Sequence, residues 1–188
     1  KHYVRVKIFT ERGREKYSKV DIPFAKGIRI KDIMARVVKP DGSISDLAKA
    51  DVFDREIAKT DKVKVRAKSF AVPNIEPGVV VEYKYQEVYQ YGSAEDMRMT
   101  FQHDVPIRNK AYFFRPAANA RYLTFNMADN KFVKDKNGYY KAVMENVPAI
   151  KEEPHMPPED EVRSWLLLYY TTAEKNSTAS DFWSRAGY

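Results

Sequence analysis

Few side chains in this sequence could do chemistry, and they are scattered. There are three histidines, His2, His103 and His155, and no cysteine. No two histidines stand at an HxH or HExxH spacing, so they do not read as metal ligands. Without cysteine the chain has no thiolate nucleophile, no Cys-ligated metal and no disulfide. His103-Asp104 has the make-up of a base with its orienting carboxylate. Yet Ser69, Ser93 and Ser164 lack the GxSxG elbow that presents a nucleophile to such a base, so the pair reads as a turn histidine beside a solvated aspartate. The seven glycines are isolated in turns, and no phosphate-cradling loop is present. Glu152-Glu153 and Glu159-Asp160-Glu161 lack the ligand spacing of a calcium loop and read as solvation for a linker. The sequence therefore predicts no catalytic residue, no metal and no cofactor: a chain that is not itself an enzyme.

Binding chemistry is better represented. Lys62, Lys64, Arg66 and Lys68 recur every second residue, which on a strand sets four bases on one face about 7 Å apart. That pitch suits an anionic surface or a nucleic-acid backbone. The same pattern also protects a sheet edge from aggregation, and this is the favoured reading. Aromatic residues make up 13% of the chain, and they concentrate where a ligand platform would need them. Tyr83, Tyr85, Tyr89 and Tyr91 alternate along one strand. Tyr83 and Tyr85 read as core; Tyr89 and Tyr91, beyond the break at Glu87, read as candidate contacts for a sugar or peptide. Tyr112 is a third candidate. No nucleic-acid-binding motif accompanies the bases, so nucleic acid is the least favoured partner.

The elements that must position these residues are mostly strands. Tyr3–Phe9 alternates, with Val4, Val6 and Ile8 on one side. Glu11–Glu15 reads as a polar turn, and Tyr17–Ile22 as the returning strand of a hairpin. Ile28–Val38 reads as strand, and Lys39-Pro40-Asp41-Gly42-Ser43 as a tight turn. Ile44–Ala50 follows as a short strand, and 52–60 as an irregular charged stretch. In Lys62–Phe70, Val63, Val65 and Ala67 are expected to face in and the four bases out. Val79–Tyr91 is the best strand in the chain. Met97–Gln102, Lys110–Phe114 and Arg121–Met127 follow, then a hairpin around Asn137-Gly138. Arg163–Thr172 is the final β-rich run, and Ser180–Arg185 looks like a first helical turn. About ten short strands at regular spacing imply a mostly β protein, an antiparallel β-sandwich with little helix. No apolar run approaches the roughly 18 residues of a membrane-spanning helix.

Charge is uneven. Residues 1–70 carry 19 Lys/Arg against 10 Asp/Glu, whereas residues 71–188 carry 14 against 16. Four prolines crowd Pro148–Pro158, which fixes φ and removes backbone donors. This stretch reads as a stiff, extended connector. The expected organisation is a sandwich domain over 1–147, the connector over 148–162, and over 163–188 a last strand and the start of a helix.

Several landmarks in this order resemble a known family. They are Glu11-Arg12-Gly13, the Ala35–Ile44 run ARVVKPDGSI, the Phe70–Gln86 run FAVPNIEPGVVVEYKYQ, the Phe101–Ile107 run FQHDVPI, and the Val147–Pro158 run VPAIKEEPHMPP. Together the chain resembles the domain of unknown function that lies N-terminal to transglutaminase-like (papain-like) domains in bacterial envelope proteins. The resemblance implies a β-sandwich accessory domain whose partner is a downstream domain of the same polypeptide, beginning near Asp181. It implies an extracytoplasmic location. It also implies that the Cys-His-Asp chemistry belongs to that neighbour, and no residue of the triad carries over to this chain. The alternatives are a carbohydrate- or peptide-binding sandwich and, more weakly, a binder of nucleic acid or anionic surfaces.

Overall fold

In the computed structural model the described residues are 1–59, 64–90, 96–117, 119–127, 132–151 and 153–170. They form a mostly β, antiparallel protein, as the alternation predicts. The chain divides into two compact units, Lys1–Gly92 and Ser93–Tyr188. The proline segment over 148–162, expected to follow the first domain, falls inside the second unit. The strands beyond Gly92 instead pair among themselves and build a core of their own.

In the first unit, β1 (His2–Lys7), β7 (Val80–Tyr89), β3 (Ile28–Val38) and β4 (Ile44–Asp46) form one sheet in the order β1-β7-β3-β4. A second sheet has the order β2-β6-β5, from Lys19–Phe24, Lys64–Ala71 and Phe53–Lys59. Val20, Ile22 and Phe70 from one sheet meet Ile30, Val37, Val79 and Val81 from the other in a single buried cluster. This is a small sandwich. Tyr83 and Tyr85 pack against the cluster, as their alternation with Val79 and Val81 predicts.

Five expectations are corrected here. Glu11–Tyr17 is a helix, α1, and not a turn. Thr10 caps it, its hydroxyl accepting from the Gly13 N–H at 3.1 Å. Glu11 sits in the first turn and Arg14 and Lys16 in the last, which suits the helix dipole. Because α1 intervenes, β1 and β2 do not form a hairpin: β1 pairs with β7 and β2 with β6. The stretch read as irregular contains β5. The basic strand β6 is no edge either, since β2 and β5 flank it on both sides. Its facing also differs from the expectation, although Ala67 is buried as expected. Val20, Ile22 and Phe24 lie directly opposite Phe70, Lys68 and Arg66. Residues directly opposite share a face, so Arg66 and Lys68 continue the row that carries buried Phe70.

In the second unit, β10 (Ala120–Phe125), β13 (Trp165–Tyr170) and β8 (Met97–Thr100) form a sheet with β13 central. The run expected to lead out of the sandwich is thus an inner strand. The other sheet is β11 (Val133–Lys134), β12 (Tyr140–Val147) and β9 (Ile107–Phe114). Met99, Phe101, Leu166, Leu168 and Ala142 form the core, with Tyr112, Phe114 and Phe132 against it. The predicted hairpin forms around Asn137-Gly138: Gly138 takes a φ of 84°, and Asp135 accepts from the N–H groups of Asn137 and Tyr139, both at 2.8 Å.

The proline segment makes no strand, but it is not simply extended. Met156 N–H bonds back to the Glu153 carbonyl at 3.1 Å, with His155 at a φ of 66°. A 3-10 turn follows at Glu159–Glu161. Two of its three acids have partners: Arg163 pairs with Glu159 and Arg98 with Asp160. The helical start expected at Ser180–Arg185 lies outside the described residues.

Candidate functional site

The sandwich of the first unit opens past its core into a cleft of about 330 Å³, lined by Phe24, Asp54, Arg66 and Lys68 of one sheet and by Ile28–Lys31 of β3. Register explains the mixture. Ile22, Lys68 and Asp54 lie in one cross-strand row, and Phe24, Arg66 and Glu56 in the next. The inner face of the sheet runs from apolar to ionic as it leaves the core. Lys68 Nζ reaches Asp54 Oδ2 at 2.9 Å and Arg66 approaches the same oxygen at 3.6 Å. The Arg66 guanidinium also lies 5.8 Å from the centre of the Phe24 ring, within cation–π range. Arg29 and Lys31 add two more cations, with Arg29 facing the side-chain amide of Gln90. Four cations and one carboxylate thus line the cleft, beside the apolar surface of Phe24 and Ile28.

Only part of this was expected. Arg66 and Lys68 are among the predicted bases. Lys62 lies outside the described residues, and for Lys64 only the backbone is described, at the start of β6. Tyr89 ends β7 opposite Ile28 and is 51% exposed. Tyr91 lies outside the described residues. Tyr112 belongs to the second unit, where it offers no open platform. Its ring packs edge-on to Phe101 at 5.0 Å and its hydroxyl donates to the Thr100 carbonyl at 2.8 Å. Burial pushes its phenol up to about 12.

Three further polar arrangements escape the sequence reading. On the other face of the first unit's four-stranded sheet, Glu82 is buried although its alternation marks it as solvent-facing. Arg5 on β1 and Arg36 on β3 lie opposite it in register. Arg36 Nε donates to Oε2 at 2.5 Å, Tyr3 donates its hydroxyl to Oε1 at 2.8 Å, and Arg5 Nε lies 3.3 Å from Oε1. Burial alone would raise the Glu82 pKa; these donors and charges outweigh it and hold the carboxyl below its usual range. In the second unit, burial lowers the Lys110 amine to about 8, and its Nζ meets His103 Nε2. His2 stacks on Tyr85 at 4.4 Å and reaches Glu87 at 3.2 Å. Among the described residues no three His, Asp or Glu side chains gather as a metal site would require.

The family model described as "Domain of Unknown Function with solved-structure structure (DUF3857)" matches residues 1–151. The chain belongs to the DUF3857 family. No curated protein sequence matches it. Among solved structures, this DUF3857 chain is similar to a crystal structure of a "putative protease" from Parabacteroides distasonis. The TM-score is 0.72 at 15% identity, with 88% of this chain and 35% of that chain covered. At that identity the likeness is one of fold. The DUF3857 chain spans about a third of that protein's length.

Proposed function

We propose that this DUF3857 chain is the non-catalytic accessory part of a longer, exported, transglutaminase-like protein, in which it scaffolds the neighbouring domain or presents a partner or substrate to it. The observation that carries the reading is the lopsided match. Nearly the whole of this chain is accounted for by a third of a longer protein described in protease terms, so the fold occurs beside other material in one polypeptide. The sequence supports the same reading: it has no cysteine to attack an amide carbonyl, and its ordered landmarks resemble domains that precede such catalytic units.

The test is to express residues 1–188 and the complete reading frame in parallel, and to assay both for amide hydrolysis and for amine incorporation into a glutamine peptide. The account expects activity only in the longer protein, abolished by substituting a cysteine outside residues 1–188. Turnover by residues 1–188 alone would overturn it, as would a reading frame ending at Tyr188.

A further inference from the structure

We propose that the open edge of β3 at Ile28–Lys31 receives an extended acidic peptide as an added strand. β3 is flanked by β7 along its length, but β4 pairs only with Arg36–Val38. A register shift between Lys31 and Met34, with Asp32 at a φ of 52°, separates the two halves of the strand. Among the described residues, no strand pairs with the Ile28–Lys31 half on the side away from β7.

The cleft shows that this edge is reachable. Ile28, Arg29, Ile30 and Lys31 are consecutive and all line it. Successive strand side chains point to opposite faces, so the surface these four share is the strand's edge. The Gln90 N–H donates to the Gly27 carbonyl at 2.8 Å, so Gly27 faces β7. Antiparallel alternation then turns the backbone of Arg29 and Lys31 toward β7 and that of Ile30 toward the open side. Four residues of edge span about 13 Å, enough for a strand of about four residues.

Charge complementarity selects the occupant. An added strand would send alternate side chains to the two faces of the sheet. On the inner side they meet Arg66 and Lys68; on the other they meet Arg29 and Lys31. Of the residues lining the cleft only Asp54 is acidic, with Glu56 opposite Arg66 in the next row. Acidic residues at neighbouring positions are therefore favoured, with an apolar residue against Phe24. A nucleic acid would match the charge, but it has no peptide N–H and C=O groups in strand register with Ile30. The proposal does not rest on the accessory-domain reading; it concerns the first unit alone.

The test titrates the whole chain with the fluorescein-labelled hexapeptide VEEVEE at low salt, followed by anisotropy. Saturable binding is expected. A tenfold or greater loss is expected in Lys68→Glu and in Lys31→Glu, and also when alternate peptide amides are N-methylated, which keeps the charge but removes edge donors. Circular dichroism checks each variant. If Lys68→Glu unfolds, exposed Lys31 carries the charge test. No binding to the folded chain would overturn the proposal. So would equal binding of the N-methylated peptide, or tighter binding of an oligothymidylate of matched charge.

Discussion

The two units close their sandwiches with different side chains. The first is filled largely by β-branched residues, Val20, Ile22, Ile30, Val37, Val72, Val79 and Val81, around Phe70. The second is filled by longer and flatter ones: Met99, Phe101, Leu166 and Leu168, with Tyr112, Phe114 and Phe132 against them. The treatment of charge differs in parallel. The first unit sets its buried carboxylate Glu82 between two arginines and a tyrosine, and lines its cleft with ion-paired bases. The second half-buries Lys110 against an imidazole. β-branched packing with matched charges leaves a defined edge and a charged cleft, whereas aromatic packing consumes its polar groups, as Tyr112 shows.

If the two cores are separate, breaking one leaves the other standing. Phe101→Ala should cost the second unit about 4 kcal/mol. Hydrogen exchange should then rise across 96–170 and stay unchanged across 1–59; Phe70→Ala should do the reverse. A uniform rise in either variant would erase the distinction.

The charged groups sharpen the contrast with smaller effects of opposite sign. Glu82→Ala should destabilise the first unit by about 2 kcal/mol, because the arginines left behind remain partly solvated. The folded-state pKa of Glu82 is depressed. Its contribution is therefore fully present above the unfolded carboxylate value, and it is lost as pH falls through the lower folded one. Acid titration of the variant should accordingly show a shallower loss of stability below about pH 4.5. Lys110→Met should instead stabilise the second unit at pH 7 by about 1 kcal/mol, after allowance for solvent screening. Because the folded amine titrates near 8 and the unfolded one near 10.5, the unfolded chain holds more protons between those values. Wild-type stability should rise with pH across that window, and the variant should not share the rise. Denaturant melts at pH 7, 8 and 9.5 read both effects.

Much of the fold is legible where local chemistry decides it. Pro40-Asp41-Gly42 and Asn137-Gly138 determine their turns, and the Val79, Val81, Tyr83, Tyr85 row declares its inward face. α1 is masked by Gly13 and a run of charges; only the Thr10 cap betrays it. The facing of β6 departs from its alternation, which assumes that an inner face is apolar throughout. Here the inner face outruns the core, and Phe70 shares it with Lys68 and Arg66. Glu82 looks like any wet-face acid until β1 and β3 bring Arg5 and Arg36 alongside, and those pairings are long-range. The same holds for the cleft: Arg66 and Lys68 stand out as types, but Phe24, Asp54 and the unpaired half of β3 join them only through topology. The division at Gly92 likewise follows from which strands pair; the uneven charge of the sequence matches it, since all of the net positive charge lies in the first unit.

The most direct test of the account is an amide chemical-shift titration of the whole chain with the VEEVEE peptide. The account predicts that perturbations cluster at Phe24, Ile28–Lys31 and Arg66–Lys68, and that the Ile30 amide becomes protected from exchange. Perturbations centred instead on the second unit's cavity, around Arg115, Lys134 and Tyr140, would contradict it.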